Sequence, residues 1–129
     1  MLSAFHVFNQ RHGHAYTLEL IGPGESDYIQ GLKEVSDIEN VIFTGEIGHN
    51  EAMMRLASAS VFILPSYTEG FPNVVLEAMA LKKCIIATNV GALPEVLDDN
   101  AGIIINSKSA EEILNALERT EDRKLRERL

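Results

Sequence analysis

Two glutamates eight residues apart, Glu69 and Glu77, bracket the stretch GFPNVVL, and this is the part of the chain whose residue types could do chemistry. Asn73 is a favoured N-cap residue, and Pro72 before it forces Phe71 out of the helical region, which predicts a sharp helix start near Asn73. A helix that begins at the carboxyl end of a parallel strand presents unsatisfied amides and the positive end of its macrodipole, and both favour phosphate. The amides of Val74 and Val75 are the candidate donors there. One glutamate lies in the loop before this helix and the other in its first turns, so the pair can flank one ligand without touching each other. Ionised carboxylates are acceptors, suited to hydroxyls. Hydroxyls on both sides of a phosphate describe a ribose at one end and a sugar at the other. The plainer explanation is that a glutamate early in a helix favours the dipole by itself.

Such a site needs strands that end together and helices that start where they end. Five short apolar runs, TLELIG (17–22), VIFTG (41–45), VFILP (61–65), CIIAT (84–88) and GIII (102–105), are predicted as buried strands. Between them SAFHVFNQ, SDYIQGLKEV, NEAMMRLASA, NVVLEAMAL and a run from about Ser109 have helical spacing. Regular alternation of apolar strand and helix predicts an α/β, Rossmann-like parallel sheet with helices on both faces. Ser109 with Glu112 forms a capping-box pattern, and the charged tail EDRKLRERL reads as the solvated end of that last helix. The opening is unusual, because an α/β unit normally begins with a strand and this one begins with a helix.

Composition bounds the alternatives. The chain has 129 residues, enough for one domain, and 46% hydrophobic content suits a folded core. A net charge of -8 has the wrong sign for gripping nucleic acid or anionic lipid, so no nucleic-acid partner is expected. Cys84 is the only cysteine, which leaves neither a disulfide nor a four-cysteine zinc site and suits a reducing compartment. No apolar run is long enough to cross a bilayer, and the first residues lack a basic region followed by an apolar stretch. The expected location is cytoplasmic, or peripheral at the inner membrane face.

Other reactive residues have ordinary explanations. His12 and His14 could face a metal together, but no third ligand is near in sequence, and no metal site is expected. His6 and His49 read as solvated or packing residues on the first and third helices. Cys84 reads as a small core residue, and Met53, Met54 and Met79 as core filler. Phe71, in the loop beside the sugar position, could wall the ligand or pack. Glu95 could orient its loop, cap a short helix or touch the ligand.

The stretch EGFPNVVLEAMA resembles the E-x7-E motif of the group 1 retaining glycosyltransferases, and GALPEVL resembles their downstream loop of Gly, Pro and Glu. LELIGPGE is similar to their strand with a glycine-rich turn, and VIFTGEIGHNEAMMRLASASVFILPS to the next two strands and their helix, so the likeness runs almost end to end. It implies the carboxyl-terminal, donor-binding half of a glycosyltransferase-B fold, with a nucleotide diphosphate sugar as donor substrate and no further cofactor. Glu69 would contact sugar hydroxyls as the catalytic-site glutamate, and Glu77 would hold the ribose. Gly70, Phe71, Asn73, Val74 and Val75 would line the donor through their backbone, whereas Pro72 has no N–H to give. Gly22 and Gly24 match the turn near the phosphates, and Gly45 to Ile47 match the loop near the base, where Ile47 would contact the donor.

The resemblance also implies an arginine on a strand and a lysine on the following turn, ahead of the first helix, that neutralise the donor diphosphate. Neither Arg11 nor Lys33 stands at a matching position. The expectation is therefore a single partial domain over residues 1–129, without its central first strand or the amino-terminal acceptor domain, and inactive alone. Residues 17–22 and 61–65 should then pair with each other or leave open edges, which a separate amino-terminal chain could fill. The alternatives are a non-catalytic nucleotide-sugar-binding or partner-subunit module and, less compatible with the motif, a nucleotide-sugar epimerase.

Overall fold

A computed structural model of the chain describes residues 1–23, 30–31, 40–65, 73–97, 101–106 and 109–122. In chain order the elements are α1 (Leu2–Arg11), β1 (Leu18–Ile21), β2 (Val41–Gly45), α2 (His49–Ser58), β3 (Val61–Leu64), α3 (Asn73–Ala80), β4 (Cys84–Thr88), α4 (Leu93–Val96), β5 (Ile103–Ile105) and α5 (Ala110–Arg119). The predicted helix over 26–35 lies outside the described residues except for Gln30 and Gly31, which are helical. All described pairings are parallel: β1 with β2, and β3 with β4 with β5. The chain therefore has the expected α/β architecture, opening on a helix.

Side-chain alternation sorts the core into two layers. Ile86, Ile103 and Ile105 face α1 and α5, where they meet Phe5, Phe8, Ile113 and Leu117. Ile85 and Ala87 face the opposite way, toward Leu56 of α2, Val75 and Ala78 of α3, and Leu93 of α4. Val61 and Ile63 of β3 join the first layer, and Phe62 and Leu64 the second. Gly102 lets the start of β5 close on its neighbours: a Cβ there would stand 3.1 Å from the Ile85 carbonyl oxygen and 3.2 Å from Leu97 Cδ1.

The expectation of five buried strands is corrected. β4 is buried along its whole length, because strands flank it on both sides and helices cover both its faces. In β1, Leu18 and Leu20 are half-buried while Glu19 and Ile21 are exposed. Leu18 packs on the α1 layer, and on the alternate face Glu19 pairs with Arg55 of α2 while Ile21 stays exposed. β2 and β3 are half-buried, apart from exposed Ile42. Residues 17–22 and 61–65 do not pair with each other, so β1 and β3 each end their sheet among the described residues.

The α1 layer is fastened to α5 by a polar clamp. Arg11 Nη1 donates to Glu118 Oε1 at 3.1 Å, and His12 Nε2 lies 2.9 Å from Glu118 Oε2. The Tyr16 hydroxyl donates to Glu121, and the His12 ring stacks beside Phe8 at a centroid distance of 4.5 Å. His12 thus works as a packing and hydrogen-bonding residue.

Three local readings also change. Ser109 caps α5 by accepting from the Glu112 amide at 3.1 Å, but the Glu112 carboxylate turns away from the reciprocal bond. It accepts instead from the backbone and side-chain amides of Asn106, which hold it below the usual carboxylate range. Met54 is 66% exposed, whereas Met53 and Met79 pack against the second layer. One face of α2 must point outward, and Met54 stands on it. Of the charged tail, residues 123–129 lie outside the described residues, and α5 stops at Arg119 with Thr120 as its C-cap.

Candidate functional site

Parallel pairing places the carboxyl ends of neighbouring strands together, with the amino termini of α2 and α3 following β2 and β3. The candidate residues that are described therefore gather at one end of the fold, as open parallel sheets generally arrange their ligand sites.

The β1–β2 side of this end is shaped by a bulge. The register runs Leu20 to Phe43 and then Ile21 to Gly45, leaving Thr44 as the extra residue. Its hydroxyl donates to the Leu20 carbonyl at 3.2 Å and to that of Gly45 at 3.0 Å. Gly22 then donates its N–H to the Gly45 carbonyl at 3.1 Å. Gly22 has φ +135 and Gly45 φ +68, conformations that L side chains rarely adopt, so this paired turn depends on glycine at both positions. The Gly22 N–H is committed to Gly45, and what the turn contributes is shape. Ile47 lies half-buried in the loop that leads to α2. Gly24 lies outside the described residues.

On the other side α3 starts at Asn73, which is exposed. Asn73 is the first helical residue, not the flanking cap expected from its side chain; Pro72 before it lies outside the described residues. The first four N–H groups of a helix have no partner within it, so Asn73, Val74 and Val75 open the amide-bearing turn. The Val75 side chain is fully buried and fixes that turn against the core. Glu69, Gly70 and Phe71 lie outside the described residues.

Glu77 follows in the second turn of α3 with its side chain 34% exposed. Its Oε1 lies 3.5 Å from Nε2 of His49, the first residue of α2. This contact brings together the loop after β2 and the helix after β3, two stations more than twenty residues apart in sequence. Sequence reasoning gave His49 a bland role. The signal that could have found it is its place directly after the loop that the resemblance puts near the base. Glu95 is exposed in the short helix α4.

The comparison with known families decides what this end of the molecule belongs to. Residues 1–122 match the family described as glycosyl transferases group 1. The chain belongs to that family. Among relatives, a D-inositol 3-phosphate glycosyltransferase of Corynebacterium aurimucosum is 38% identical over 98 residues, 74% of this chain and 23% of its own. A GDP-mannose-dependent alpha-(1-6)-phosphatidylinositol monomannoside mannosyltransferase of Mycobacterium tuberculosis is 29% identical over 110 residues, 76% of this chain and 29% of its own. The crystal structure of the C-terminal domain of LpcC, a group 1 family protein of Francisella tularensis, superposes with a TM-score of 0.83 at 30% identity, covering 98% of this chain and 70% of that one. This group 1 chain thus has the fold of a carboxyl-terminal glycosyltransferase-B domain. It spans about a fifth to a third of the length of the curated relatives it matches.

Among the described residues of this glycosyltransferase-family chain, no group of three or more His, Cys, Asp or Glu is placed to hold a metal ion. Among the same described residues, no helix is long and apolar enough to cross a membrane.

Proposed function

We propose that this chain is the donor-binding part of a retaining glycosyltransferase, whose whole protein moves a sugar from a nucleotide diphosphate sugar to an acceptor hydroxyl. The observation that carries the reading is Glu77, half-buried at the carboxyl ends of the strands and held near the start of an amide-bearing helix. There it accepts hydrogen bonds from the ribose hydroxyls, while the first-turn amides of α3 receive the diphosphate. Glu69 takes the sugar hydroxyls, with Gly70 and Phe71 beside it, and Gly22, Gly24 and Ile47 shape the phosphate and base ends. No cofactor beyond the donor is needed. The GDP-mannose dependence named for the mycobacterial relative supports a nucleotide-sugar donor and leaves the base and sugar open.

A second reading concerns the partner. β1 and β3 both present an edge that no described strand covers, and both pack on the same α1 layer. This favours a strand supplied from outside residues 1–129, and with it an acceptor-binding domain or chain without which transfer does not proceed. If the chain instead serves as a non-catalytic module, the same donor site would work in regulation. The single buried thiol, Cys84, suits work in the cytoplasm or at the inner membrane face.

Titration of the purified chain with UDP and GDP sugars tests the donor reading. Glu77→Ala should weaken binding by about tenfold or more, since it removes charge-assisted hydrogen bonds. Equal binding by the variant and the parent would overturn the assignment of Glu77.

A further inference from the structure

The contact between His49 and Glu77 carries a consequence for ligand choice, one that rests on the reading of Glu77 as the ribose carboxylate. His49 opens α2 behind Gly48, whose extended backbone starts the helix without any side-chain cap. Its ring is 68% exposed, yet Nε2 stands 3.5 Å from Glu77 Oε1. Glu77 is the only charged residue of α3. The charged residues of α2 are occupied elsewhere: Arg55 binds Glu51 at 3.0 Å and Glu19 of β1 at 3.1 Å. Glu46, in the preceding loop, is exposed. At the far end of α2, Lys83 donates to the carbonyls of Ala57 and Ala59 at 2.6 and 2.8 Å, fastening that helix to the turn after α3. Leu56 of α2 packs in the same layer as Val75 and Ala78 of α3. The two helices are therefore joined at both ends and between, so their packing sets how close His49 comes to Glu77.

We propose that His49 is a positioning residue: it engages one oxygen of Glu77, orders the carboxylate before ligand arrives, and leaves the other oxygen to accept from ribose. A glutamate ordered in advance loses less rotamer freedom on binding. The benefit is specific to a ligand with ribose hydroxyls. A nucleotide lacking them has nothing for the ordered carboxylate to accept.

The test is calorimetric titration with UDP and GDP and with their 2′-deoxy and 3′-deoxy counterparts. It compares the parent chain with His49→Ala, His49→Gln, Glu77→Ala and the double alanine variant, each checked for folding by circular dichroism. The expected result is that His49→Ala lowers the preference for ribose by about three- to tenfold. The same change should have no further effect in the Glu77→Ala background, and His49→Gln, whose amide can donate in a similar place, should recover much of the preference. An unchanged preference in His49→Ala, with Glu77→Ala still losing it, overturns the positioning role and leaves the ribose reading intact. A loss that persists in the Glu77→Ala background overturns it as well, since His49 would then act elsewhere. A parent chain that binds neither these nucleotides nor ADP, or a Glu77→Ala variant that binds like the parent, overturns both.

Discussion

The two sheets share a layer of helices and differ in nearly everything else. The β3–β4–β5 sheet has helices on both faces and a central strand enclosed on every side, and Ile85 and Ile86 are fully buried there. The β1–β2 sheet has α1 on one face and, among the described residues, exposes Ile21 and Ile42 on the other. One sheet is stabilised by burial, which scales with the apolar area removed from water. The other is held more by its ladder, by the Thr44 bulge and Gly22–Gly45 turn, and by the Arg55–Glu19 ion pair from α2. Stability and candidate chemistry are thus distributed unequally. The well-buried sheet carries the helix that bears Glu77, and the exposed one carries the glycine turn and the loop leading to His49.

The contrast is broken most directly by truncating one isoleucine from each sheet. Ile85→Ala should cost about 2–5 kcal/mol in urea unfolding, because the site is closed on all sides and leaves a cavity. Ile42→Ala should cost about 0.5 kcal/mol or less, since its side chain is already half in solvent. Equal losses would mean that the exposed face of the smaller sheet is covered in solution.

Amide exchange sharpens the same contrast. Leu18 and Gly22 donate toward β2, so strand alternation turns the amides of Glu19 and Ile21 toward the uncovered edge. They should exchange faster than those of Ile85 to Ala87 by about three orders of magnitude or more, given a global stability of at least about 5 kcal/mol. Slow exchange at Glu19 and Ile21 would instead show an occupied edge.

The smallest effect concerns the clamp that closes the shared α1–α5 layer. His12 above all, with Arg11, holds the Glu118 carboxyl below its ordinary value of 4.5. A carboxylate depressed on folding contributes stability above its unfolded value, and this contribution is lost as pH falls through the folded value. Glu118→Gln should therefore lower the melting temperature at pH 7 and lower it less at pH 3. Solvent screening of a partly exposed pair limits the difference to about 1 kcal/mol or less. A variant indistinguishable from the parent at both pH values would show that the Glu118 contacts with Arg11 and His12 add nothing measurable to the joining of α1 and α5.

Much of the fold was legible in local residue patterns. Each predicted strand lies within a residue or two of an observed one, because β-branched runs ended by Gly, Pro or polar residues carry their own boundaries. Helix periodicity was equally informative for α1, α2, α3 and α5. Burial was less so. The strand VFIL is as apolar as CIIAT, yet only the second is enclosed, since enclosure depends on which strands lie alongside. Met54 illustrates the same point on α2, where an apolar residue faces outward beside others that face in.

What the sequence determined by itself is what neighbouring residues can decide: the α/β alternation, the helix start after Pro72, the Ser109 cap, and the spacing of Glu69 and Glu77. Tertiary structure alone decided the partners that chain distance conceals. Glu112 left its expected bond for Asn106, Gly22 gave its N–H to Gly45, and His49 met Glu77. Local spacing cannot report these contacts, because each one exists only after strands and helices have packed, and packing is settled by the summed burial of residues far apart in the chain.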